Sequence, residues 1–332
     1  MKHLVAALFA LPCVVAAASA AEAPVYKVTH GIAVGGEARW DYLTVDSAAH
    51  RLYVSHGTQT EVIDTQNEKV IGTIADTQGV HGIAIANDLG LGYISAGKSN
   101  SVAVFDLATL KVRDTIKVGT NPDAIVYVAA SNRVITFNGK SKDATVIDAK
   151  AGKVIGTVAV GGKPEFAQVG GDGKVYFNVE DTSELAVLDP AALKIEHRSS
   201  LKPCDSPSGL AIDNQSHLYS VCDNKMMIVS TADGTRIAQA EVGSGPDGVA
   251  WLDGFAFSAN GVDGTVSMVG ESMPGKLKTV ATIPSAHGAR TIAADPATHK
   301  LYLPTADLKP GQNGERPQGV AGTFRILVLE RQ

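Results

Sequence analysis

A tripeptide ending in aspartate recurs at almost constant spacing, as Val-Ile-Asp64, Val-Phe-Asp106, Val-Ile-Asp148 and Val-Leu-Asp189, in steps of 42, 42 and 41 residues. A chain with such a period is built from copies of one small unit, and each copy must bury its apolar faces against the next. In the first copy Asp41 to Val45 is followed by a polar turn, then Arg51 to Ser55, Thr60 to Asp64 and Lys69 to Ile74. Short runs rich in β-branched and aromatic residues between turn signals read as strands, and helical periodicity is absent. Four strands in about 40 residues make one propeller blade.

Aligned on the first strand, the units start at Asp41, His81, Asp123, Glu165, Ser208, Asp247 and Arg290. The expected fold is therefore all-β, a seven-bladed β-propeller with four-stranded blades. The last unit ends at Phe324 to Leu329, one strand short, while Tyr26 to Val34 resembles the fourth strands of other units. The N-terminal strand is expected to complete the seventh blade, closing the ring and leaving no free sheet edge. The recurring aspartates fall at strand ends before turns, where a carboxylate accepts backbone N–H groups, so they read as turn residues. In later units the position holds Ser230, Gly270 and Glu330.

Residues 1–20 carry Lys2, an apolar run from Leu4 to Ala18 and the small-residue sequence Ala18-Ser19-Ala20, the pattern of a cleavable signal peptide. The run is too short to span a bilayer, and no transmembrane segment follows. Residues 21–332 are expected to form one propeller domain, monomeric and exported to the periplasm or secreted. Cleavage would leave 28 basic and 34 acidic residues, a net of minus six, because only Lys2 leaves. That balance, with no basic run, argues against a nucleic-acid partner. Cys13 leaves with the leader, and the remaining Cys204 and Cys222 read as a disulfide in an oxidising compartment, against free thiols or a soft-metal pair.

First-strand starts and second-strand ends share one face of a propeller, so both sets are expected around one opening. The starts are Asp, His, Asp, Glu, Ser, Asp and Arg. The second-strand ends add His56, Asn138, Asn178, Glu180, Cys222, Asn224, Asn260 and Thr305, and Trp40 stands beside Asp41. Carboxylates crowded round one mouth must take up protons, pair with Arg290 and the histidines, or hold a cation. A divalent ion is the candidate cofactor, with Asp41, His81, Asp123, Glu165 and Asp247 as candidate ligands. Arg290 is set either to clamp an anionic group or to pair with Asp41 across the ring closure, and Trp40 either to wall a flat ligand or to pack. The segment 306–322, rich in Pro and Gly, lengthens the last unit and reads as a lid over this face or as disorder.

Tyr53-Val54-Ser55-His56, Tyr93-Ile94-Ser95-Ala96 and Gly119-Thr120-Asn121-Pro122-Asp123 resemble the YVTN repeat of YncE-like seven-bladed propellers, over essentially all of residues 21–332. The resemblance implies an exported propeller. Gly245-Pro246-Asp247-Gly248 is also similar to a strand entry of gluconolactonase and senescence-marker propellers, where the aspartate helps hold a divalent cation; their glutamate and asparagine ligands have no unique counterparts here. Three function classes follow. The first is a binding propeller whose mouth takes a small molecule, an ion or a protein segment. The second is a metal-dependent hydrolase, lactonase or lyase with His81 or Glu165 as catalytic base. The third is a passive scaffold. No nucleophile elbow, zinc motif or nucleotide loop is present, so binding is the favoured reading.

Overall fold

The computed structural model describes residues 23–273, 276–311 and 317–332. The expected leader 1–20, its expected cleavage point and Cys13 lie outside the described residues. Seven four-stranded antiparallel sheets are arranged as a ring, a seven-bladed β-propeller. Blade 1 runs Leu43–Asp46, Arg51–His56, Gln59–Asp64 and Lys69–Ile74, from the axis outward. The inner strands contact their neighbours all the way round, including blade 7 against blade 1. Apart from strands there are only single 3-10 turns such as Asn87–Leu89 among the described residues. Among those residues no helix is long and apolar enough to cross a membrane.

Burial explains why the strands do not simply alternate. Both faces of a blade's middle strands are covered by adjacent blades, so these strands read as continuous apolar runs. In blade 3 Val134, Ile135, Phe137, Val146 and Ile147 are fully buried, while the outer strand Lys153–Ala159 is mostly exposed. The core is accordingly a set of wedges, each shared by two blades. Phe137 of blade 3 meets Phe177 of blade 4 at 4.6 Å in one of them. Leu52 and Val54 of blade 1 meet Tyr302 and Val328 of blade 7 in another.

The N-terminal strand Tyr26–Ala33 pairs antiparallel with the last strand, Arg325–Arg331, and forms the outer strand of blade 7. First and last segments of the chain thus share one sheet, as expected. The recurring aspartates are turn residues. Asp64 Oδ1 accepts the Gln66 and Asn67 N–H groups at 2.8 and 2.9 Å, and Asp106, Asp148 and Asp189 repeat the pattern. Ser230 serves similarly through Oγ, which accepts the Ala232 N–H at 3.1 Å. Gly270 lies within a strand because the blade 6 hairpin is longer, reaching Met273.

Cys204 and Cys222 are joined by a disulfide, with Cα atoms 5.5 Å apart, that ties the entry of blade 5 to its second strand. Closing a loop of this length is worth about 3 kcal/mol in the chain-entropy account. The double variant Cys204→Ser/Cys222→Ser is expected to lose that amount in urea unfolding, with the native fold kept. Equal midpoints for the variant and the oxidised protein would show that the bridge does not stabilise the fold.

Candidate functional site

The side chains at the mouth owe their direction to local breaks in pairing. Register between first and second strands slips between Val80 and Ile83, Pro122 and Ile125, Pro164 and Ala167, and Pro246 and Gly248. His81, Asp123, Glu165 and Asp247 occupy those slips. A proline cannot donate to the ladder, and a bulge re-aims the residue that follows it. Glycine is needed next to these residues because the inner strands converge. A Cβ on Gly248 would lie 2.8 Å from the Thr291 Cα, and one on Gly209 would lie 2.6 Å from the Asp247 carbonyl oxygen.

Six of the seven strand starts form one chain of polar contacts. Ser208 Oγ donates to Asp247 Oδ1 at 2.5 Å, and Arg290 Nε donates to Asp247 Oδ2 at 2.9 Å. Arg290 Nη2 reaches Asp41 Oδ1 at 3.5 Å, and Asp41 Oδ2 lies 2.6 Å from His81 Nδ1. The same His81 nitrogen is 3.8 Å from Asp123 Oδ1. Glu165, the seventh, turns to Lys163 at 2.6 Å, and Lys163 also pairs with Glu180.

Burial and crowding shift several of these groups. Burial disfavours the His81 imidazolium, but the Asp41 hydrogen bond and the charges of Asp123, Asp41 and Glu165 outweigh it and raise His81 to about 9. Burial is the main force raising Asp123 and Glu165 above the usual carboxylate range. Asp41 adds to it at Asp123, and Asp123 adds to it at Glu165, while His81 and Lys163 pull the other way. Around the mouth four ring carboxylates and Glu180 face Arg290, Lys163 and His81; with Glu165 raised to about 8, the opening is at most weakly negative near neutral pH when His81 is charged.

Beneath the ring lies a floor that sequence reasoning missed. Tyr42 and Phe166 stack with ring centroids 4.1 Å apart. The Tyr42 hydroxyl is buried, has no hydrogen-bond partner among the described residues, and is held well above its ordinary pKa by burial and then by Asp123, Glu165, Asp41 and Asp247. Under this stack the central channel, about 390 Å³, is lined by inner-strand residues such as Thr44, Ile83, Gln168 and Ala250, without a ring carboxylate. The signal was present in the repeats. The residue after each start is Gly82, Ala124, Gly209, Gly248 and Thr291 in five blades, and aromatic only at Tyr42 and Phe166. Lys163 was missed as well, since it precedes the alignment point.

The second-strand ends are placed differently from the starts. His56, Asn138, Asn178, Asn260 and Thr305 are buried inside or between blades and do not line the opening. His56 Nδ1 meets Glu61 Oε1 at 3.0 Å, and the His56 ring stacks on Phe324 at 4.5 Å. Asn138 donates to Asp143 and Thr145, Asn260 to Thr265 and Ser267, so each closes its own hairpin. Asn178 donates to the Ser208 and Gly209 carbonyls of the next blade, and Thr305 to the His287 carbonyl. Asn224 is exposed and accepts from Ser244.

Trp40 packs. Its ring lies 5.8 Å from that of Phe324, its Nε1 donates to the Gly288 carbonyl, and the Arg290 guanidinium sits 5.9 Å from the ring centroid. Arg290 is committed to Asp247, Asp41 and the Trp40 carbonyl, so it braces the closure of the ring. In segment 306–322, Leu308–Lys309 pairs with Gln318–Gly319, and its base packs on Ala38, Trp40 and Gly288. Residues 312–316 lie outside the described residues. A second cleft, of about 380 Å³, opens on the opposite face between blades 4 and 5. Its polar groups satisfy one another, with Tyr176 on Asp172, Lys174 on Glu196 and His197 on Ser199.

No protein-family model matches the chain, and no curated protein matches it in sequence. Solved structures do match in shape. The hydrazine synthase of Kuenenia stuttgartiensis is 16% identical with a TM-score of 0.70, over 82% of this chain and 92% of that one. The WD40 repeats of RRP9 are 9% identical with a TM-score of 0.77, over 91% and 97%. A chain of the mitotic checkpoint complex is 14% identical with a TM-score of 0.74, over 91% and 95%. At these identities the likeness shows a fold alone: the chain is a seven-bladed β-propeller.

Proposed function

We propose that the chain is an exported, YncE-like propeller that binds a small cationic ligand, an ion or a basic protein segment at the mouth of its central channel. The observation that carries this reading is the continuous polar chain from Ser208 through Asp247, Arg290, Asp41 and His81 to Asp123, with Glu165 beside it. Such a chain gathers negative charge over a closed floor, and a concave, polar, charge-biased site is the usual form of a ligand site. Export is supported by the leader-like residues 1–20 and by the Cys204–Cys222 disulfide.

Binding is favoured over nucleophilic catalysis by the pairing within the ring. Ser208 donates to Asp247 while His81 pairs with Asp41, so serine and histidine are not brought together as a nucleophile and its base. The test is thermal unfolding of chelator-treated protein with putrescine, agmatine and lysine amide at millimolar concentrations. At least one of them is expected to raise the melting temperature of the wild type by several degrees, through preferential binding to the native state, and to act less on Glu165→Ala. If no probe shifts the wild type, or if Glu165→Ala responds equally, the mouth does not bind organic cations, and if metal ions also fail to bind the ring is structural.

A further inference from the structure

We propose that Asp41, His81 and Asp123 form a binding site for one divalent transition-metal ion, an inference that rests on the mouth being a binding site. The three come from the first strands of three consecutive blades, and one ligand atom from each lies within 4.8 Å of the others. His81 Nδ1 is 2.6 Å from Asp41 Oδ2 and 3.8 Å from Asp123 Oδ1. Metal–nitrogen and metal–oxygen bonds of about 2.1 Å put neighbouring ligand atoms about 3.0 to 3.4 Å apart. The two observed separations bracket that interval. The third pair, Asp41 and Asp123, lies within 4.8 Å, so an ion needs the ligands to close on it by about an ångström at most, with the Nδ1 proton given up to solvent or moved to Nε2.

The surroundings supply what such a site requires beyond its ligands. His81 is held edge-on by Gly97, where a Cβ would approach Nε2 to 2.8 Å. Asp41 is steadied through its other oxygen by Arg290 at 3.5 Å. The Asp123 carboxylate accepts no hydrogen bond among the described residues, and its contact is the 3.8 Å approach of His81. Below them is the buried Tyr42 hydroxyl, without a hydrogen-bond partner among the described residues, whose strongest electrostatic neighbours are Asp123 and Glu165. A buried hydroxyl without a partner is unfavourable, and a water on the ion would donate to its oxygen. The donor set also selects the metal. One imidazole and two carboxylates favour the ions from Mn²⁺ to Zn²⁺ over Ca²⁺, which prefers six or more oxygens.

Calorimetric titration of the chelator-treated full chain with Mn²⁺, Zn²⁺ and Ca²⁺ tests the site, with Co²⁺ absorption reporting nitrogen ligation. One equivalent of Mn²⁺ or Zn²⁺ is expected to bind, with Ca²⁺ at least tenfold weaker. His81→Asn and Asp123→Asn are each expected to weaken binding at least a hundredfold, and the surface variant His299→Gln to leave it unchanged. Melting curves without metal establish that each variant is folded; if one is not, Gly97→Ala, which displaces the His81 ring, is the substitute and is expected to weaken binding at least tenfold. Absence of stoichiometric binding, unchanged affinity in folded His81→Asn, or tighter binding of Ca²⁺ overturns the proposal. If metals fail while putrescine or agmatine still protects the wild type but not Glu165→Ala, the metal site falls and the mouth stands.

Discussion

A chain that begins at Val34, without the strand Tyr26–Ala33, is expected to lose cooperative folding and to elute as aggregate. That strand pairs with seven residues of the last strand, from Arg325 to Arg331. It also buries Tyr26 and Ile32. Tyr26 reaches into blade 6, with its ring 5.0 Å from Phe257 and its hydroxyl donating to Asp253 at 3.0 Å. Two buried side chains are worth about 2 to 3 kcal/mol each, and their loss would also uncover Leu327 and Leu329 behind them. The total approaches the whole stability of an ordinary domain, about 5 to 15 kcal/mol. The bared edge of the last strand would then recruit other chains. Circular dichroism melting with size-exclusion light scattering checks this. A monomer melting in one transition within a few degrees of the full chain would mean that the ring closes without its N-terminal strand. Tyr26→Phe, which loses only the Asp253 hydrogen bond, should cost about 1 kcal/mol.

The second large effect is a loss of stability as pH rises in metal-free protein. His81 is raised to about 9, so the stability it contributes is fully present below about 6.5, its unfolded value, and disappears as pH climbs through 9. That difference amounts to about 3 kcal/mol at most. Glu165, raised to about 8 by burial and then by Asp123, acts with the same sign over this range, because the native state holds its proton more tightly than the unfolded chain does, whereas Asp123, raised to about 6, has lost most of its contribution by pH 6. His56, raised by Glu61 and the Glu37 carbonyl against the effect of burial, adds to it. Urea unfolding in chelator at pH 6, 7.5 and 9 is expected to show a decline of several kcal/mol. Glu165→Gln should reduce that slope and be the more stable protein at pH 9. Stability that is flat or rises from pH 6 to 9 would contradict the charge arrangement of the ring.

The blades were legible because turn chemistry repeats: Asp64, Asp106, Asp148 and Asp189 each hold two backbone N–H groups, and that demand fixes one residue type at one spacing. The strand starts could be aligned from that period. Their convergence follows from closure of the ring. Side-chain direction was not legible at the second-strand ends. Asn138 and Asn260 are polar and near the same face, yet each turns to partners five and seven residues on, and the pairs Asp143/Thr145 and Thr265/Ser267 show this only once the hairpin is built. The floor was hidden for the opposite reason. Tyr42 is apolar enough to pass as core, and only comparison with Gly82, Ala124, Gly209 and Gly248 reveals that two rings fill space left by missing side chains.

The Tyr42–Phe166 stack makes the molecule a cup and not a tube. Rings from blades 1 and 4 meet across the channel beneath Asp41, His81 and Asp123, so anything held at that ring would be backed by aromatic faces. The cleft between blades 4 and 5 shares no lining residue with that ring, so the two concavities of the molecule differ in chemistry as well as in position.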